Sequence, residues 1–200
     1  MATPLKRVLL DPFSDNNPIT VQILGICSSL AVTTRVDKAL VMCMALTVVT
    51  AFSNLVISMM RNMIPGKIRI IIELAVVSTL VIVTDQFLQA FLPDISRELS
   101  VFVGLIITNC IVMGRLEAYA LANPPWASFV DGLANGLGYS MILFIISSVR
   151  EVFGGGTWLG FRVMPADYPN NGLMLIAPGA FIVLGLIIWA QRSINHKFEA

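Results

Sequence analysis

Ala39-Leu-Val-Met-Cys-Met-Ala-Leu-Thr-Val-Val-Thr-Ala-Phe-Ser-Asn-Leu-Val-Ile-Ser-Met-Met60 runs for 22 residues without a charged side chain. A helix that crosses the hydrocarbon core of a bilayer needs about 20 mostly apolar residues. The stretch therefore reads as a membrane span, and the pattern repeats on both sides of it. Ile68–Leu92, Phe129–Val149 and Gly172–Ala190 are also long enough to span. Pro18–Thr34 and Leu99–Met113, the latter with a continuation to Ala122, are apolar but interrupted. The first holds Gln22, Gly25, Ser28 and Ser29; the second holds Asn109 and then meets Arg115 and Glu117. Two readings of these runs are open. They are short or tilted spans, or they are broken, re-entrant helices, which a membrane tolerates only where protein or a cavity covers the backbone.

Composition points the same way. Of 200 residues, 56% are hydrophobic and 12% charged, whereas a soluble domain carries roughly 25% charged residues. So few charges cannot cover a water-facing surface of this size. The net charge of +1 leaves no electrostatic footprint for nucleic acid. The expected fold is an all-α integral membrane protein of six transmembrane helices, one membrane domain over 1–200, with helices 1 and 4 broken or halved.

The connections Thr34–Lys38, Arg61–Lys67, Pro93–Glu98, Asn123–Trp126 and Arg150–Asn171 are too short for a folded nucleotide-binding domain. Gly154-Gly-Gly156 lacks the Lys-Ser/Thr pair and flanking strand of a phosphate loop and suits a hinge or helix cap. Met1–Asn17 has no apolar stretch for a cleavable signal peptide. With six spans, the side carrying both termini holds Lys6, Arg7, Arg61, Lys67, Arg69, Arg115, Arg192 and Lys197. The other side holds Arg35, Lys38, Arg97, Arg150 and Arg162. The excess of positive charge places both termini in the cytoplasm.

Few residues are equipped for chemistry. Cys43 lies in a smooth apolar helix and reads as a small apolar filler. Cys27 and Cys110 each fall in an interrupted run. Those runs open the two halves of the chain, about 16–92 and 99–192, with three spans each. An odd number of spans per half gives any internal repeat inverted topology, and inverted repeats with broken helices mark functional centres in transporters. A bare thiolate in hydrocarbon is costly, and a metal supplies the opposing charge. Tetrahedral thiolate sites suit zinc or iron, and iron–sulfur clusters usually take four Cys ligands. Two more ligands would then come from another chain, and half-helix N-termini would help hold the negative charge. The plainer reading is that both cysteines fill space.

Ionisable groups inside spans are functional candidates by default. Asp85 and Asp131 are the two candidates for an ion pathway. Glu73, one turn from its helix start, reads as solvated or snorkelling. Each aspartate also has a plain reading. Asp85 lies near the end of its span and can reach the interface, and Asp131 precedes Gly132, Gly136 and Gly138, small residues that let helices approach closely. Trp126, Trp158 and Trp189 lie near span ends, where aromatic belts form.

Asn16-Asn-Pro-Ile-Thr-Val-Gln-Ile-Leu-Gly-Ile-Cys-Ser-Ser-Leu-Ala-Val-Thr-Thr34 and Leu99-Ser-Val-Phe-Val-Gly-Leu-Ile-Ile-Thr-Asn-Cys-Ile-Val-Met-Gly-Arg-Leu-Glu-Ala118 closely resemble one family of membrane subunits. So do Val81-Ile-Val-Thr-Asp-Gln86, Asp131-Gly-Leu-Ala-Asn-Gly-Leu-Gly-Tyr139 and Asn171-Gly-Leu-Met-Leu-Ile-Ala-Pro178. The family comprises the D and E subunits of the sodium-translocating NADH:quinone oxidoreductase and two paralogues in the Rnf ferredoxin:NAD oxidoreductase. The continuation after Cys27 is more similar to the D branch. The resemblance implies a six-helix inverted repeat that pairs with the E subunit, of opposite membrane orientation. It implies that Cys27 and Cys110 are ligands of an iron–sulfur centre of the two-iron type, with the E subunit supplying two more cysteines. It also implies a multi-pass place in a bacterial inner membrane beside the A, B, C and F subunits. That complex passes electrons from NADH through flavins to ubiquinone and drives Na+ outward. The NADH, flavin and quinone sites belong to other subunits. Within that scheme the expected role is an electron relay. The alternatives are an Rnf-type subunit, a non-redox transporter, and a structural scaffold.

Overall fold

The computed structural model describes Val8, Pro12 and residues 17–91, 104–164 and 171–194. The expected connection Pro93–Glu98, the start of the fourth run at Leu99, and Pro165 and Pro169 lie outside the described residues. The helices, in chain order, are α1 (Ile26–Val32), α2 (Val36–Met60), α3 (Arg69–Phe91), α4 (Cys110–Arg115), α5 (Pro125–Gly155), α6 (Gly172–Leu175) and α7 (Ala177–Ile194). Residues 104–107 are also helical, and α4 passes directly into a π turn over Leu116–Ala120.

Among the described residues, three helices are long and apolar enough to cross a membrane: α2, α3 and α5. At 1.5 Å per residue, α5 is about 46 Å long and exceeds the roughly 30 Å of a hydrocarbon core. It starts at Pro125, where the missing N–H costs nothing. It ends at Gly156, whose φ of 67° forms a left-handed cap that a side chain would disfavour. These two signals carry the helix beyond the expected Phe129–Val149, so Trp126 and Arg150 belong to α5 and not to connections.

The α2–α5 contact is the most extensive in the molecule. It is close because α5 turns glycines to α2: a Cβ on Gly132 would stand 2.7 Å from the Ala51 Cα. The core gathers Met42, Leu46, Val49 and Ile57 of α2, Leu143 and Ile146 of α5, and Ile111 and Val112 of α4. By contrast, α3 leans on α2 and leaves most of its apolar surface open. In a bilayer such a face needs no polar cover.

The sixth run is not one uninterrupted helix. It breaks at Ile176, an extended residue between α6 and α7. The Pro178 ring would clash with the carbonyl four residues back, that of Met174, so α6 cannot run on. The expected span Gly172–Ala190 is therefore corrected to a short helix and a separate helix of 18 residues. Both interrupted runs also break. Residues 17–25 are turns before α1, and residues 108–109 leave the helix before α4.

Candidate functional site

The two breaks point at one place. α1 begins at Ile26 after Gly25, whose φ is +79°. α4 begins at Cys110 after Asn109, whose side-chain oxygen accepts from the Ile111 N–H at 3.2 Å. Cys27 is thus the second residue of one short helix and Cys110 the first of the other. Their Sγ atoms lie 3.9 Å apart, and both residues are exposed on the surface of the chain. Cys43 is buried within α2, its Sγ 3.8 Å from the Ser140 carbonyl, and takes no part.

The thiol pair rests on a fully buried polar layer. Ser28 Oγ donates to the Gly25 carbonyl at 2.9 Å, which leaves its lone pairs for Tyr139 Oη at 2.6 Å and Asn109 Nδ2 at 3.0 Å. Tyr139, Ser28 and Asn109 are each 0% exposed. The segment leading to α1 is pinned beside them. Asn17 Nδ2 donates to the Pro12 and Gly138 carbonyls, while its Oδ1 accepts from the Ile19 and Thr20 N–H groups.

The far ends of the short helices are held as firmly. Arg150 is 0% exposed. Its Nε donates to the Met174 carbonyl at 3.0 Å, its Nη2 to those of Leu175 (3.0 Å) and Ile176 (3.4 Å), and its Nη1 to Leu30 (3.3 Å) and to Thr33 Oγ1. Helix ends leave carbonyls without partners, and one guanidinium here serves the ends of both α6 and α1. Glu151 accepts from the Val36 N–H at 2.6 Å, at the start of α2. At the end of α4, Arg115 holds Asp131 through Nε at 2.9 Å and through Nη2, and Asn135 Nδ2 donates to the same carboxylate at 3.0 Å. Arg115 is therefore a helix residue with a buried partner, not a loop charge. Without Arg115 and Arg150, Lys and Arg stand seven against four in the expected six-span arrangement, with the excess still on the side of the termini.

The structure thus joins Cys27 to Cys110, and neither aspartate to that pair. Asp85 bonds to Gln89 of its own helix at 2.8 Å, and its second oxygen is buried without a partner. Asp131 is enclosed by Arg115 and Asn135. Glu73, expected to be solvated, is 0% exposed with both oxygens unpartnered, while Arg69, one turn earlier, pairs with Glu117 of the π turn at 2.5 Å. Sequence reading missed Tyr139, Arg150 and Glu151. The one available signal was a contiguous Arg-Glu beside an apolar run.

The thiol geometry tests the fit of a metal. Two sulfurs each 2.3 Å from a tetrahedral metal stand about 3.8 Å apart. The separation here matches that and is nearly twice the roughly 2.05 Å of a disulfide. Among the described residues no third Cys, His, Asp or Glu joins the pair.

Comparison with known proteins follows the same line. The family model described as "Rnf-Nqr subunit, membrane protein" matches residues 5–188. Over 196 residues the chain is 57% identical to the D subunit of the Na(+)-translocating NADH-quinone reductase of Proteus mirabilis and 56% identical to that of Photorhabdus laumondii. Each match covers 96% of this chain and 94% of the relative. The corresponding protein of Tolumonas auensis is 54% identical over 96% of this chain and 92% of its own length. The chain belongs to the Rnf-Nqr family of membrane subunits.

Proposed function

We propose that this chain is a D-type membrane subunit of a Na+-translocating NADH–quinone reductase, and that Cys27 and Cys110 are its ligands to an iron–sulfur centre shared with a pseudo-symmetric partner subunit. The observation that carries the reading is the 3.9 Å approach of two exposed thiols at the starts of two short helices. The names borne by relatives at 54–57% identity support the complex to which it is assigned. Two thiolates are half of a four-cysteine set, and their exposure leaves the other half to the E-type partner. The centre, of the two-iron type, supplies one-electron transfer between the NADH side and the flavin subunits on the way to ubiquinone. What this chain contributes is placement. α1 and α4 bring the sulfurs to one point, the Tyr139 layer closes the space behind them, and Arg150 and Arg115 fix the helices at their other ends.

Within this reading the chain lies in a bacterial inner membrane as a six-helix inverted repeat. Its termini are cytoplasmic, and the A, B, C and F subunits complete the complex. Asp85 and Asp131 stand on the Na+ pathway, and Asp131 is available to a cation only when Arg115 withdraws. Iron content and EPR of the purified complex test the central point. With Cys27→Ser or Cys110→Ser, the assembled complex is expected to lose the iron signal and electron delivery to quinone. Unchanged iron in both variants sinks the reading.

A further inference from the structure

The thiols are exposed, yet the polar groups next to them in sequence are fully enclosed. Ser28 follows Cys27, Asn109 precedes Cys110, and both are 0% exposed. They meet each other at 3.0 Å, and Tyr139 from the middle of α5 closes the set with a 2.6 Å bond to Ser28. We propose that Tyr139, Ser28 and Asn109 form a positioning triad that fixes the separation and mutual orientation of Cys27 and Cys110, and so tunes the centre these thiols hold.

The hydrogen-bond inventory of Ser28 is closed. A hydroxyl has one proton and two lone pairs. Ser28 spends the proton on the Gly25 carbonyl and the lone pairs on Tyr139 and Asn109. Asn109 donates one amide proton to Ser28 and accepts through its oxygen from the Ile111 N–H. Each side chain therefore sets the start of a short helix while binding the other one. Tyr139 also packs its ring against Gly25, where an added Cβ would come within 2.8 Å of Cε2. One side chain of a long, well-packed helix thereby references both cysteine-bearing turns to the same frame. Inside a bilayer, water is not at hand to replace a lost partner. Metal–ligand distances hold to within about 0.2 Å of their usual values, and groups behind the ligands tune the metal as well as orient them.

The geometric half of this proposal stands on the thiols alone; the electronic half rests on the iron-centre reading. The test uses the whole complex carrying Tyr139→Phe, Ser28→Ala, both together, or Ser28→Thr. Where the parent complex holds iron, Tyr139→Phe and Ser28→Ala are expected to keep it. Both should displace the EPR lines and change the redox equilibrium constant of the centre threefold or more. The double variant should add little to the larger single, as for residues of one network. Ser28→Thr, which keeps the hydroxyl, should return the parent spectrum. Unchanged spectrum and potential in both single variants overturn the triad while leaving the iron centre intact. Where the parent holds no iron, the iron reading fails, and the triad is judged by the rate at which diamide closes a Cys27–Cys110 disulfide. Diamide takes two electrons and two protons and becomes the hydrazine. A threefold or larger change in that rate in Tyr139→Phe supports the triad, and equal rates overturn it.

Discussion

Gly25 meets two demands that no other residue satisfies together. Its φ of +79° is in the left-handed region, and its missing Cβ is where the Tyr139 ring packs. Left-handed backbone costs an L-residue about 1–2 kcal/mol, and the contact adds to that. Gly25→Ala is expected to lower the thermal midpoint of the complex and weaken the iron signal. Gly185→Ala, where a Cβ meets nothing within 4 Å, should leave both unchanged. Asp131 permits a sharper separation of stability from function. It is 3% exposed in its side chain and Arg115 is 12% exposed. Removing one partner of such a pair costs about 3–5 kcal/mol, while replacing both with apolar groups is often neutral. Differential scanning calorimetry should therefore show Asp131→Asn to be strongly destabilised and Asp131→Leu with Arg115→Met to be much less so. If the double variant keeps the Na+ dependence of the parent, Asp131 is not on the ion pathway.

At the scale of the element, the short helices owe their existence to distant partners. A seven-residue helix in isolation is far below the length at which helices hold, and α1 is seven residues long. The Leu30 carbonyl near its end is served by Arg150, 120 residues away. Arg150→Met should leave four part-buried carbonyls without this donor, at about 3 kcal/mol in total. The expected readout is loss of the assembled complex or a large fall in its thermal midpoint, with Arg150→Lys intermediate because an ammonium cannot span both helix ends. The breaks themselves were legible. Gly25, Ser28, Ser29 and Asn109 disfigure otherwise apolar runs, and small polar residues in hydrocarbon need a local reason. Their partners were not legible, because Arg150, Arg115 and Tyr139 sit among residues that look ordinary locally. A charge beside an apolar run reads as a loop charge, and a tyrosine inside one reads as packing. Only the fold shows that each meets a helix end or hydroxyl far away in sequence. The break at Ile176 was also in reach, since Pro178 is the seventh residue of the expected run, and an interior proline breaks a helix.

For the whole molecule, the distribution of exposure is what matters. Cys27 and Cys110 are exposed while Cys43 is buried, and large apolar residues such as Ile71, Val83 and Phe87 of α3 and Leu186 and Trp189 of α7 are open as well. Lipid covers the second set equally well whether or not a partner is present. On the proposed reading the first set faces a partner subunit. A membrane-permeant maleimide is therefore expected to label Cys27 and Cys110 in membranes where this chain is made without its partner subunit, and to spare both in the whole complex. Cys43 should stay unlabelled in either case. Equal labelling of Cys27 and Cys110 in the two preparations would show that their face is not an interface. The hydropathy of the chain made the membrane class evident from one 22-residue run. The exposure of two thiols on that surface was beyond it, since hydropathy does not distinguish a lipid-facing residue from a partner-facing one.

Arg150 and Glu151 are neighbours on α5, yet one holds the end of α1 and the other the start of α2. The turn between them, Thr33–Arg35, is consequently gripped on both sides by charges from a single helix. In mechanical terms α1 is a beam held at both ends, by Arg150 near its C-terminus and by Tyr139 and Asn109 at Ser28. Any displacement of Cys27 then has to break the bonds at Ser28, because the other end of the beam is already tied down.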